Sequence, residues 1–263
     1  MSAEGVSIDT EAVLLLCGRF GGEGQAPFEP LSTHDYAALA RWLNLRALRP
    51  ADMLAAAGRG ALDGVHETAL ERLRIEFLLE RGTAMALALE RWSRAGLWVI
   101  SRADAAYPQA LKRRLRHAAP PLLYGAGRQE LLDAGGLAIT GPRDAGEAVL
   151  AFARQTAAAY AGDGMVVMSG GVRGVEMAAM QGALEAGGQA IGVLPGDLLK
   201  ASLGRLYRGG LQQGRLALVS ACAPEAGFDD GPAMAHDKYL CALADRAVVI
   251  DAEGLRDHVE PGT

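Results

Sequence analysis

The sequence predicts an α/β protein: a doubly wound, Rossmann-like parallel sheet preceded by a small α-helical module. Three observations carry this reading. From residue 97 onward, apolar runs of four to six residues alternate with stretches of helical period. These runs are apolar throughout, as in strands buried on both faces of a parallel sheet. Several of them end in glycine-containing turns directly ahead of helices, the punctuation of βαβ units with right-handed crossovers.

The first part, to about residue 95, reads as helical. Glu11 to Cys17 is a short apolar helix, and the Gly- and Pro-rich stretch from Gly18 to Pro30 is a loop. Ser32 or Thr33 caps a helix whose apolar positions Tyr36, Leu39, Ala40 and Leu43 recur at helical spacing. Pro50 and Ala51 open a short helix through Ala57. Glu67 to Arg81 carries Leu70, Leu73, Phe77 and Leu78 on one stripe, and Thr83 to Arg94 continues it after Gly82 with Met85, Leu89 and Trp92. Residues 1–95 therefore form a helical module, and residues 96–263 form the α/β domain.

The pattern changes at Leu97 to Ser101, a run of strand length. A helix starts at Tyr107-Pro108 and includes Leu111 and Leu115, and Pro121 to Gly125 reads as a second short strand. Regular alternation follows: strand Gly136–Thr140, helix Ala145–Ala161, strand Met165–Ser169 and helix Val175–Ala186. It continues with strand Gln189–Leu194, a weaker helical stretch near Leu198 to Arg208, and strand Arg215–Ser220. Helix Ala233–Ala244 leads into Ala247–Asp251, the last expected strand.

Composition narrows the function classes. The chain is 50% hydrophobic and 22% charged, with mean hydropathy +0.11, which excludes a disordered polypeptide. A net charge of −5 excludes a uniformly basic nucleic-acid-binding protein but leaves room for a local basic groove. Aromatic residues make up 5%, which argues against long base-stacking platforms. Of 26 basic residues only Lys112, Lys200 and Lys238 are lysines. Positive charge thus resides in arginine, the better bidentate partner of phosphate, although coding bias produces the same skew. Cys17, Cys222 and Cys241 match no zinc spacing and sit in apolar runs, so they read as buried free thiols in a reducing cytoplasm. No signal-like segment or membrane-length apolar run is present, so the expected location is cytoplasmic, without a membrane partner.

A doubly wound sheet binds ligands beyond the carboxyl ends of its strands. Three expected strands end there in Gly141-Pro142-Arg143-Asp144, in Ser169-Gly170-Gly171-Val172-Arg173-Gly174, and in Pro195-Gly196-Asp197. Glycine lets backbone approach a ligand, and the next helix start offers free N–H groups and a positive dipole end. Glycines here also simply make tight turns; Arg143 and Arg173 at adjacent turns favour a phosphate crevice. The dinucleotide and Walker A glycine signatures are both absent. Glu176 reads either as helix-start stabilisation or as the orienting group for a turn donor or ribose hydroxyl. His236, Asp237 and Lys238 read as a solvated polar face, since sequence neighbours on a helix diverge. The run Lys112-Arg113-Arg114-Leu115-Arg116 is the densest basic patch, a solvated face and also a candidate for backbone phosphate contact.

At these residues the sequence resembles the DprA/Smf family of DNA-processing proteins. The matching order begins with Tyr107-Pro108-Gln109-Ala110-Leu111, Pro121-Leu122-Leu123-Tyr124-Gly125 and Ala138 to Arg143, where the family usually has V-G-S-R. Ser169 to Glu176 stands where the family has S-G-x-A-x-G-I/V-D. Gly182-Ala183-Leu184, Gly187-Gly188 and Gly192-Val193-Leu194 follow in register, and Ala233 to Leu240 stands at the family's R-N-(K/R) helix. The resemblance spans about Leu97 to Asp251. The residues through Arg102 resemble the family's N-terminal extension more loosely.

The resemblance implies a Rossmann-like protein that binds and protects single-stranded DNA and hands it to a RecA-type recombinase in natural transformation. It implies a homodimer and no hydrolytic chemistry; no cofactor and no metal are expected. Carried over by position, Gly141, Arg143, Ser169, Gly170, Gly171 and Gly174 make the strand-end pocket, with Lys238 as the helix-motif cation; Arg173, from its place in the turn, and Lys112 and Arg113, from the dense basic run, are further candidate contacts. Pro142 departs from the family's serine, Glu176 from its aspartate, and His236-Asp237 from its Arg-Asn. The chain stops at Glu260-Pro261-Gly262-Thr263, where relatives run on into a further helix, so a truncated or divergent form is expected. The alternative reading is a nucleotide sensor of the wider Rossmann-like superfamily that includes LOG proteins, acting in a defence system. A LOG-type phosphoribohydrolase lacks support because its P-G-G-x-G-T-x-x-E motif is missing.

Overall fold

The computed structural model describes residues 5–21, 26–55, 62–65, 70–227, 233–251 and 254–259. The expected helical residues 56–57 and 67–69 and the tail 260–263 lie outside them. Two compact units emerge. One comprises residues 1–94, 98–107 and 115–123; the other comprises 95–97, 108–114 and 124–263.

In the first unit, α1 (Ile8–Cys17) starts earlier than its apolar run because Ser7 caps it, accepting from Thr10 N at 3.1 Å. α2 (Thr33–Leu45) opens on a capping box in which the side chains of Ser32 and Asp35 each accept the other's backbone N–H. A 3₁₀ turn at Pro50–Leu54 is followed by α3 (Arg72–Leu79) and α4 (Gly82–Arg94). Their shared core includes Leu16, Leu39, Leu43, Ile75 and Leu78. The Thr10 hydroxyl donates to Ser101 Oγ at 2.6 Å, joining α1 to the end of β1 (Leu97–Ser101).

The remaining α-helices and strands are α5 (Gln109–Leu115), β2 (Leu122–Gly127), β3 (Leu137–Thr140), α6 (Glu147–Gly162), β4 (Val167–Ser169), α7 (Val175–Glu185), β5 (Ala190–Val193), α8 (Leu198–Leu203), α9 (Arg205–Gln212), β6 (Leu216–Ser220), α10 (Ala233–Leu243), β7 (Arg246–Asp251) and β8 (Gly254–Val259), with 3₁₀ turns at Arg116–Ala118 and Gln129–Asp133. The expected helix at Leu198 to Arg208 is split by Gly204, whose extended backbone (φ −69°, ψ 147°) interrupts it.

Sheet order is β1-β2-β6-β5-β4-β3-β7-β8. The block β6-β5-β4-β3-β7 is parallel, as expected. The flanks are not: β2 runs antiparallel to β6, pairing Tyr124 with Ser220, and β8 runs antiparallel to β7. An apolar run reveals a buried strand but not its direction. β8 is an unexpected strand because Arg256, Asp257 and His258 break the apolar pattern, which an edge strand tolerates. Its short link from β7 permits only a hairpin, since a parallel return needs a crossover of a dozen residues or more.

The topology fixes where a site belongs. From β3 the chain winds through β4, β5 and β6 on one side, then returns to lay β7 on the other side of β3. Strand order therefore reverses at β3 and β7, and their carboxyl ends border the crevice. Helices α6 and α7 cover this part of the sheet through small residues, Ala153, Ala157, Ala178, Ala179 and Ala183. Their approach is close at Gly182, where a Cβ would lie 2.2 Å from the Arg154 carbonyl oxygen.

No disulfide forms among the described residues; Cys241 is exposed on α10, and Cys17 and Cys222 are half-buried, where their apolar neighbours suggested full burial. Burial pushes the Cys17 thiol well up. Among the described residues no helix is long and apolar enough to cross a membrane.

Candidate phosphate crevice at the strand ends

The turn after β3 and the turn after β4 are pressed together by glycines. Gly174 takes φ +100°, and a Cβ there would lie 2.4 Å from the Pro142 carbonyl oxygen and 2.6 Å from Arg143 Cα. Val175 N donates to the Pro142 carbonyl at 3.2 Å, so the first turn leans on the start of α7. At Gly141 a Cβ would lie 2.4 Å from the Ile250 carbonyl oxygen, which binds the same turn to β7. Gly171 is also left-handed, with φ +67°, and its carbonyl accepts from the Tyr207 hydroxyl at 3.2 Å.

The predicted contact residues divide into groups. Arg143 is exposed beside Gly174. Arg173 is exposed and ion-paired with Asp144, so each of the two turns presents an arginine. The side chains of Arg173 and Asp144 are 79% and 83% exposed, and a surface pair of that kind is weak and open to exchange. Ser169 is fully buried and donates to the Ile139 carbonyl at 2.8 Å, fastening β4 to β3. Lys238 is exposed on α10, two residues beyond His236.

Lys112 and Arg113 are elsewhere. Their neighbour Arg114 donates to the Ala242 carbonyl at 3.1 Å and to the Ala244 carbonyl, and lies 3.7 Å from Asp245. It thereby caps the carboxyl end of α10. That end precedes β7, so α5 is anchored at the amino edge of the parallel block. The length of β7 separates this edge from the turns, about 20 Å for six residues.

The structure also assembles a cluster that the sequence did not bring together. Glu176 is 4% exposed and His236 is 5% exposed. Thr140 Oγ1 donates to Glu176 Oε1 at 2.9 Å, and Glu176 Oε2 has no hydrogen-bond partner among the described residues. His236 Nε2 lies 3.1 Å from Asp237 Oδ1. One ligand atom from each of Glu176, His236 and Asp237 falls within 4.8 Å of the others, so these residues could hold a cation. His236 therefore belongs to a buried polar cluster, not to the solvated face its sequence neighbours suggested. Residues 176 and 236–237 lie far apart in the sequence and meet only in the fold.

Burial pushes the Glu176 carboxyl above its ordinary value of 4.5; the Thr140 hydroxyl, His236 and the Val172 backbone N–H oppose the rise, and the Asp237 carboxylate adds to it. The native state therefore retains a proton that the unfolded chain releases, and stability falls as pH rises through the interval from 4.5 to the raised native value. Urea midpoints measured across pH 4–8 with a chelator present are expected to show this decline, at most about 1.4 kcal/mol per pH unit. Glu176→Gln is expected to remove that component; an unchanged profile would contradict the assignment.

The sequence model of a family described as DNA recombination-mediator protein A matches residues 98–255, over half of the chain. DNA processing protein A from Streptococcus pneumoniae superposes with a TM-score of 0.63 at 16% identity, covering 93% of this chain and 78% of that one. DNA processing protein A from Helicobacter pylori, solved for its single-stranded DNA binding mode, gives a TM-score of 0.47 at 23% identity, covering 58% of this chain and 68% of that one. No curated protein matches the sequence.

Proposed function

Because this chain belongs to the DNA recombination-mediator protein A family, we propose that it binds single-stranded DNA at the crevice formed by the turns after β3 and β4. The observation that carries the reading is the contact of these two Gly- and Arg-bearing turns at the carboxyl ends of the parallel strands, beside the point between β3 and β7 where the strand order reverses. Arg143 and Arg173 would meet backbone phosphates, and phosphate contact without base contact gives binding with little base preference. We further propose that the chain acts as a homodimer without catalysis in the cytoplasm, protecting the strand and passing it to a RecA-type recombinase during DNA uptake. Residues 1–95 would act as the helical module and 96–263 as the DNA-binding domain.

Fluorescence anisotropy with labelled oligo-dT tests the binding step. Saturable, salt-dependent binding is expected, and no binding at low salt would remove the reading. One-to-one binding of a nucleotide in calorimetry, without DNA affinity, would assign the crevice to a small ligand instead. The pairing of Arg173 with Asp144 adds a prediction: a phosphate must displace that carboxylate. Asp144→Asn is therefore expected to tighten oligo-dT binding at low salt by about twofold to fivefold, with the gain shrinking as salt screens the site.

A further inference from the structure

We propose that Glu176, His236 and Asp237 form a divalent-cation site of the zinc class at the carboxyl edge of the sheet. The donors come from two elements: Glu176 is in the first turn of α7, and His236 and Asp237 are on α10. Their ligand atoms lie within 4.8 Å of one another. His236 Nε2 and Asp237 Oδ1, 3.1 Å apart, are close to the edge length of about 3.3 Å between ligands on a tetrahedral zinc.

The second observation is the orientation of Glu176. One carboxylate oxygen is held by Thr140 Oγ1 at 2.9 Å, which leaves Oε2 buried and without a hydrogen-bond partner among the described residues. A buried polar atom without a partner calls for an explanation, and an ion is one of the few available. Oε2 and His236 Nε2 converge over Gly170: a Cβ there would lie 2.4 Å from the first and 2.8 Å from the second. The absence of a side chain at residue 170 keeps the space between the two donors open. Thr140 then acts as the outer partner that orients a ligating carboxylate.

The donor set selects the cation. One imidazole nitrogen with two carboxylates suits zinc, whereas magnesium requires a near-octahedral oxygen shell and retains several waters. Three protein ligands with exposed Asp237 on the solvent side leave a coordination position open to an outside ligand.

The test uses full-length protein, stripped with a chelator and titrated with zinc chloride by calorimetry without DNA. One zinc per chain is expected, with a nitrogen/oxygen first shell and imidazole scattering in X-ray absorption. Glu176→Gln, Asp237→Asn and Gly170→Ala are each expected to weaken binding about tenfold or more. Asp237 is exposed, so Asp237→Asn keeps the test valid if the buried variants fail to fold, as circular dichroism would reveal. No saturable binding, sulfur in the first shell, or unchanged affinity in folded variants would overturn the site. Because DNA is absent, either result leaves the DNA-binding proposal to its own test.

Discussion

Replacing Arg143 and Arg173 together with alanine is expected to weaken oligo-dT binding by about a hundredfold at low salt. Each guanidinium is proposed to make a charge-assisted contact with phosphate, for which a loss of about tenfold or more is typical. The slope of log affinity against log salt should flatten by about 1.4, or roughly 0.7 for each lost phosphate contact on a single strand. The control is built into the fold. Lys112 and Arg113 carry as much charge, but α5 is anchored through Arg114 at the opposite edge of the parallel block. Substituting both with alanine is expected to change affinity far less. Equal losses in the two double variants would show that net charge, not the strand-end crevice, governs binding.

Gly174→Ala is expected to destabilise the protein by about 2–5 kcal/mol, lowering the urea midpoint without changing the m-value. Two costs combine at this residue. Its backbone (φ 100°, ψ −143°) lies where side chains are strained, and the new methyl would meet the Pro142 oxygen and Arg143 Cα at 2.4 and 2.6 Å. Those atoms are backbone and cannot rotate away. Gly162→Ala provides the contrast. This glycine ends α6, and a Cβ added to it would meet nothing within 4 Å, so alanine there is expected to be neutral or stabilising. A mild effect at Gly174 would mean that the two turns move apart easily and that their contact does not define the crevice.

The parallel strands and most helices were legible because burial on both faces leaves a simple signature, uninterrupted apolar runs followed by glycine turns. Direction was not legible. The side chains of Leu122, Leu123 and Tyr124 are buried whichever way β2 runs, so nothing in the run distinguishes antiparallel from parallel pairing. β8 was hidden by its charged residues. At the site, the turns could be located from Gly141, Gly170 and Gly174 because close backbone approach selects glycine. The meeting of Glu176 with His236 could not, because 60 positions separate them and the contact depends on how α10 lies over the carboxyl ends of the strands. Ser169 illustrates the converse. Its place in a glycine-rich turn suggests a ligand contact, yet its hydroxyl is spent on the Ile139 carbonyl.

Whether the turns after β3 and β4 hold the DNA backbone is tested most directly by photo-crosslinking. A bromodeoxyuridine-substituted single strand would be crosslinked to the protein and the attached peptides identified by mass spectrometry. Crosslinks are expected within residues 141–146 and 170–175, and they should disappear in the Arg143→Ala/Arg173→Ala double variant. Crosslinks confined to residues 109–116, or retained in full by that variant, would contradict the proposed site.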